Sequence, residues 1–337
     1  MSPDRILFRA DASHAIGFGH VTRVCALIEE AAAAGFAPVA MFGGDLAAIE
    51  SWAAGRQLPL DLRTWTAEEA ARAAAEPGVR ALVIDGPAIT RELLPVLDDR
   101  TRAVMVDDTG SDASVATVVN HNVHAADLPY PGARQRLLGR KFLMLRRDIR
   151  RYLRGSSRPD PVQGERLRVV VTFGGSDPVN ATARTVAMFP PDRPLELVVI
   201  AGPGFRDTAA LDAAIATARA AGHVVHLRQS PPDPGALFVV AHAAICSAGG
   251  TLGELAYLGC PALAYAIVPD QVIPARRQVL EGLIAGGRTW SEVDDDMLRT
   301  DLLRFVQDDE GRRVQRQRAL ASVDADGPHR IIAAAIE

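Results

Sequence analysis

The chain has 337 residues, of which 48% are hydrophobic and 23% charged, with a net charge of −4. That balance excludes a mostly disordered chain and gives no electrostatic reason for nucleic-acid or anionic-membrane binding; at ~150 residues per domain the length predicts two domains. Its three cysteines, Cys25, Cys246 and Cys260, show no CxxC spacing, which argues against a disulfide framework or a zinc site and for a reducing compartment. No apolar run reaches the ~18–20 residues of a membrane span, and the N-terminus lacks the basic-then-apolar pattern of a secretion signal. A cytoplasmic protein with no membrane or nucleic-acid partner is expected.

Short β-branched runs alternate with glycine or polar turns and alanine-rich helices. Strands are predicted at 6–9, 38–42, 81–85, 103–107 and 115–120, with a helix at 21–34. Residues 145–168 are crowded with arginine and then carry Gly155-Ser156-Ser157, Pro159 and Pro161, a composition suited to a linker. The pattern then restarts, with strands at 169–173, 197–200, 224–227, 243–246 and 262–268 and a helix at 181–189. The predicted fold class is α/β: two doubly wound, Rossmann-like parallel-sheet domains facing across a cleft. The boundaries drawn are 1–154, a linker at 155–165, and 166–337, with the last helix expected to pack back on the first domain. Ligands of such sheets sit beyond the carboxyl ends of the strands.

Three segments are candidates for chemistry. The first is Asp11-Ala-Ser-His-Ala-Ile-Gly-Phe-Gly-His-Val-Thr-Arg23, between the first strand and its helix. Gly17 and Gly19 permit a tight turn and close approach of a ligand, and His20 falls at the helix start, where the positive helix end favours a neutral imidazole. The bland alternative is a glycine turn with a polar helix-start residue. A complete dinucleotide fingerprint is absent, because the third glycine is missing. The second segment is Phe173-Gly-Gly-Ser-Asp-Pro-Val-Asn180, whose Gly174 and Gly175 leave backbone N–H groups open to an anion. Its alternative is an ordinary turn with Asp177 or Asn180 capping the next helix. The third runs from a strand straight into Ser247-Ala-Gly249-Gly250-Thr251 and a helix, which suits a diphosphate. Glu254, one turn in, is placed to accept hydrogen bonds from two ribose hydroxyls, although Thr251-x-x-Glu254 is also a capping-box pattern. Asp270 and Gln271 follow the strand at 262–268 and are expected to project into the same cleft. The histidines show no metal-ligand spacing beyond His121 and His124, which lack an evident third ligand and read as a polar loop.

Taken in order, these pieces resemble the PseG/SpsG-type nucleotide-sugar hydrolases, which share the two-domain GT-B architecture with the glycosyltransferase MurG. The resemblance rests on Arg9-Ala10-Asp11 with Gly-Phe-Gly-His-Val-Thr-Arg, Val106-Asp107-Asp108, Val119-Asn120-His121-Asn122, Leu138-Gly139-Arg140-Lys141-Phe142, Phe-Gly-Gly-Ser-Asp, Ser-Ala-Gly-Gly-Thr-Leu-Gly-Glu-Leu, Asp270-Gln271 and Asp326-Gly327. It implies release of UDP from a UDP-linked amino or deoxy sugar of the pseudaminic-acid type, with the catalytic histidine at His20, the nucleotide loop at 247–251 and the ribose contact at Glu254. Two departures bear on the sugar. Asp85 is followed by Gly86-Pro87 where the family often has Asp-x-Tyr, and Asp270-Gln271 stands for the usual Asn-Gln.

The expected chemistry is attack of water on the anomeric carbon, with His20 as base and Asp11 orienting it. Gly17, Gly19, Arg23, Asp85, Asn122, Gly174, Gly175, Ser247, Gly249–Thr251, Glu254, Asp270 and Gln271 are expected to bind substrate. No cofactor and no metal are expected, and the chain is expected to be a monomer or a weak homodimer. The competing readings are a GT-B glycosyltransferase, a hydrolysing 2-epimerase, and a non-catalytic nucleotide-sugar-binding subunit.

Overall fold

A computed structural model of the chain describes residues 3–13, 17–53, 60–62, 65–161 and 164–337. His14, Ala15 and Ile16 of the first candidate segment, and Val162 and Gln163 of the expected linker, lie outside the described residues. By its internal contacts the chain divides into one unit of Met1–Arg147 with Ala325–Glu337 and another of Asp148–Asp324.

The first unit is built on seven strands: β1 (Arg5–Ala12), β2 (Ala37–Gly44), β3 (Leu60–Leu62), β4 (Val79–Asp85), β5 (Ala103–Val106), β6 (Val115–Asn120) and β7 (Ala133–Leu138). They form one parallel sheet in the order β3-β2-β1-β4-β5-β6-β7. Alternate residues of β1 supply its two faces. Ile6, Phe8 and Ala10 pack with Val21, Val24 and Leu27 of helix Gly19–Ala33 and with Ile331 and Ile332 of helix Gly327–Ile336. Leu7 packs on the other face with Ala70 of helix Ala67–Ala74 and with Ile89 and Leu93 of helix Pro87–Leu93. A sheet covered on both faces reads as a run of apolar residues, which is why its central strands were visible in the sequence.

The second unit has six strands: β8 (Arg168–Thr172), β9 (Glu196–Ala201), β10 (Val224–Gln229), β11 (Ala243–Ser247), β12 (Ala262–Ala266) and β13 (Ala285–Thr289), parallel in the order β10-β9-β8-β11-β12-β13. Residues 155–158 run against this unit: the N–H groups of Gly155, Ser157 and Arg158 donate to the carbonyls of Tyr257, Leu258 and Ala241.

Over six strands both sheets therefore share one order, in which the chain winds outward from the first strand, returns, and winds the other way from the fourth, with β7 added at the edge of the first sheet. The two-domain α/β class expected from the sequence is observed. Strands β3, β7 and β13 were not predicted. They lie at sheet edges, where burial does not demand an apolar run; β7 reads Ala-Arg-Gln-Arg-Leu-Leu and β13 Ala-Gly-Gly-Arg-Thr.

Candidate active site

In an open parallel sheet of this order the crevice opens where the winding reverses, between the carboxyl ends of the first and fourth strands. In the first unit these ends belong to β1 and β4. After β1 the Gly17 N–H donates to the Ser13 carbonyl at 2.8 Å, and its φ of 76° suits glycine. Helix Gly19–Ala33 begins directly afterwards and sets His20 and Arg23 one turn apart. Strand β4 ends at Asp85, which is fully buried.

These residues meet. His20 Nδ1 lies 2.7 Å from Asp85 Oδ1, and Arg23 grips the same carboxylate through Nε at 2.5 Å and Nη2 at 2.7 Å. The other arm of Arg23, Nη1, donates to Asp108 Oδ2 at 2.7 Å, and Asn122 Nδ2 donates to Asp108 Oδ1 at 2.8 Å. Asn122 is held in turn, since its N–H donates to Asn120 Oδ1 at 2.9 Å and Asn120 Nδ2 donates to the Tyr130 hydroxyl. Four segments, at or just after the carboxyl ends of β1, β4, β5 and β6, thus converge on one network.

The network sets the charge states. Burial alone would push the Asp85 carboxyl up, but Arg23 and His20 outweigh it and hold the group at about 2. Burial likewise opposes ionisation of Asp108, and Arg23 pulls it below the ordinary carboxylate range. Burial disfavours the Arg23 cation, and Asp108 and Asp85 overcome that and keep it protonated. His121 sits beside Asp108, yet burial, joined by the charges of Arg23 and Arg140, lowers it to about 4, so it stays neutral near pH 7. Asp85 is ionised and only accepts, so His20 Nδ1 donates to it, and in the neutral imidazole the lone pair is then on Nε2. An imidazole held in this way by a buried carboxylate has the geometry of a general base.

This arrangement corrects two expectations. The carboxylate that orients His20 is Asp85, not Asp11. Asp11 sits on β1 itself and pairs with Arg9, whose guanidinium also reaches the Met41 carbonyl at 3.3 Å. Gly43 of β2 faces that pair, and a Cβ there would lie 2.7 Å from Asp11 Oδ1. Asp85, expected to touch a sugar, has no exposed surface and accepts three hydrogen bonds from His20 and Arg23. Arg23 and Asn122, also expected to bind substrate, hold this network together. Gly19 opens the helix before His20, with nothing within 4 Å of where a Cβ would stand. Asp108 and His121 were not singled out as site residues; the signal available was their place at or just after the carboxyl ends of two predicted strands.

The corresponding point of the second unit lies between β8 and β11. Here the groups are uncharged. Gly174, with φ of 89°, follows Phe173 after β8, and its missing Cβ would stand 3.8 Å from Ser247 Oγ at the end of β11. Beyond Ser247, the Ala248 N–H donates to the Tyr265 carbonyl at 2.8 Å. Among the described residues no acceptor takes the next three N–H groups, those of Gly249, Gly250 and Thr251, which open helix Thr251–Leu258. Gly250 holds the N-cap with no side-chain cap, and nothing lies within 4 Å of where its Cβ would be. Gln271 faces Gly249: its Oε1 accepts from the Ile267 N–H at 3.0 Å, which turns Nε2 to within 3.2 Å of the Gly249 Cβ position. The result is a small cradle of donors at a positive helix end, suited to an anion.

The other residues expected here are placed as follows. Glu254 lies in the first turn of helix Thr251–Leu258, and because Gly250 is the N-cap, Thr251 is already the first helical residue rather than a cap. Asp270 is exposed in the single turn Pro269–Gln271. Gly175 has its carbonyl occupied by the Gly204 N–H at 2.8 Å. Asp177 caps the following helix, accepting from the N–H groups of Ala181 and Thr182 at 2.8 Å each. Asn180 donates to Asp207 instead. Among the described residues no group of three or more His, Cys, Asp or Glu side chains is arranged to hold a metal ion, and no helix is long and apolar enough to cross a membrane.

No family model and no curated protein matches the chain. Solved structures do. Acinetobacter baumannii MurG aligns with a TM-score of 0.69 at 14% identity, covering 98% of this chain and 99% of that one. The S. aureus protein MnaA, solved with UDP, aligns with a TM-score of 0.66 at 10% identity over 98% and 95% of the two chains. CalG4, the calicheamicin glycosyltransferase, aligns with a TM-score of 0.59 at 18% identity over 99% and 97%. The chain has the GT-B, MurG-like fold. Identities this low carry the fold alone.

Proposed function

We propose that the protein is a nucleotide-sugar hydrolase that releases UDP from a UDP-linked amino or deoxy sugar, as the PseG/SpsG resemblance implies. The observation that carries this reading is the His20–Asp85 pair, which leaves His20 Nε2 as a proton acceptor at the reversal point of the first sheet. The donor cradle of Gly249, Gly250 and Thr251 supports the nucleotide half, as does the UDP bound to MnaA, which shares the fold.

In the proposed reaction a water oxygen forms a bond to the anomeric carbon while His20 Nε2 takes its proton. The bond from that carbon to the phosphate oxygen breaks, and UDP leaves with the electron pair on its β-phosphate. Backbone N–H groups and the helix dipole stabilise that charge without reorganising. Asp85 stabilises the imidazolium that forms, and Glu254 holds the ribose. MurG and CalG4, a glycosyltransferase, keep the transferase reading in view, in which a sugar hydroxyl replaces water.

Incubating the purified chain with a panel of UDP-sugars in H₂¹⁸O tests the proposal. UDP release without acceptor, with label in the sugar product, is expected. Release only on addition of an acceptor would make the protein a transferase, and a 2-epimeric sugar product would make it an epimerase. Label in UDP would mean attack at phosphorus. No turnover under any of these conditions would favour a binding subunit.

A further inference from the structure

We propose that Asp108 is a positioning residue which, by taking the second arm of Arg23, leaves the His20–Asp85 pair with an excess negative charge that only protonation of His20 balances. The inference rests on the reading of His20 as the base, and it concerns a carboxylate that does not touch the imidazole.

The argument is a charge count over bonded groups. Asp85 and Asp108 each carry a negative charge, and Arg23 bridges them with one positive charge. With a neutral imidazole the network is one charge negative; with an imidazolium it is neutral. Were Arg23 bonded to Asp85 alone, its cation would cancel the charge that His20 needs, and the half-buried base would gain little on taking a proton. Buried charges are weakly screened, so this difference is felt across the network. Asn122 pins the far oxygen of Asp108 and keeps that carboxylate turned to Arg23.

The count covers the groups bonded to one another; the Arg140 cation, which acts on His121, lies outside it. Among the described residues, His20 is faced by Asp85 from the end of β4 and by Arg23 from its own helix. Asp108 is faced by Arg23 and by His121, with Arg140 acting on His121 in turn. His121 remains neutral near pH 7, so it neither adds a charge nor competes with His20 for the proton. Among the described residues the buried Nδ1 of His121 has no hydrogen-bond partner.

The test follows the His20 ring by NMR as pH is varied, in the free full-length chain, with the signal assigned by its loss in His20→Asn. In Asp108→Asn the titration midpoint of His20 is expected to fall by about half a unit to one unit, the scale of a partly screened neighbouring charge. Asp108→Glu, which keeps the charge, is expected to restore it. The acid limb of the kcat/KM profile should move with the ring. A merely structural Asp108 would lower Tm and activity at every pH and leave the midpoint in place, and that result in the folded variant would overturn the inference. Asp108→Ser is measured alongside, so that a folding failure of one neutral variant does not decide the matter. The ring titration needs no substrate: absence of UDP release would sink the hydrolase reading, whereas an unmoved midpoint with UDP release intact would sink this inference alone.

Discussion

The two units place different chemistry at the same topological point. Between β1 and β4 the groups are charged side chains: one guanidinium, two carboxylates and an imidazole, locked together largely out of water. Between β8 and β11 they are backbone N–H groups, glycines, a serine and an amide. A shared strand order fixes where a ligand meets each sheet. On the proposed function, the residues at the strand ends then decide whether that point moves protons or holds an anion. Charged side chains are suited to the first task because their protonation can change; backbone donors are suited to the second because theirs cannot.

The comparison breaks most visibly at His20. Replacing it with Asn removes the acceptor and keeps a similar polar size, so kcat is expected to fall by roughly 10²–10⁴ while UDP affinity, measured by calorimetry, hardly changes. A comparable loss of UDP binding would show that the two points do not divide the work as described.

Asp85→Asn is expected to cost stability as well as activity, because it strips a buried partner from Arg23; breaking such a pair typically costs ~3–5 kcal/mol. The pH dependence follows from the depressed carboxyl. Asp85 ionises at about 2 in the folded chain against an ordinary 3.8. Its contribution is therefore complete above the higher value and is lost as pH falls toward the lower one. Denaturant titrations from pH 5 to pH 2 should show wild type losing stability more steeply than Asp85→Asn across that window.

At the second point the sharpest change is the smallest. Gly250 has open space at its Cβ position and no positive φ, so Gly250→Ala should alter stability by under about 1 kcal/mol. It should nevertheless weaken UDP binding by about tenfold or more, since a methyl group would stand where a phosphate must approach its N–H. Unchanged UDP affinity in this variant would remove the cradle from the nucleotide site. Glu254→Ala should act more mildly, raising KM more than it lowers kcat, as expected of a contact made equally in ground and transition states. The least effect is expected from chelation: if N–H groups neutralise the diphosphate, exhaustive EDTA treatment leaves activity intact, and loss restored by Mg²⁺ would transfer that role to a metal.

The sequence carried the architecture because a sheet covered on both faces must be apolar along its central strands, as in the Leu-Val-Ile run of β4 and the Val-Val-Val run of β8. It also carried the cradle and His20, because a glycine turn between a strand and a helix is a local feature: Gly17 to His20 and Ser247 to Thr251 are each contiguous. Local reasoning failed where partners are distant. Asp11 was expected to orient His20, yet on β1 its side chain pairs with Arg9. The true partner, Asp85, is 65 residues on and meets His20 only because β4 pairs with β1. Asp108 and Asn122 join for the same reason, through β5 and β6. Residue identity and near-neighbour spacing thus determined by themselves which segments were sheet, which were turns and which side chains were equipped for chemistry. Which carboxylate faces which base was decided only by the strand order, since a hydrogen bond of 2.7 Å between residues far apart in the chain exists only once the sheet has put their strand ends side by side.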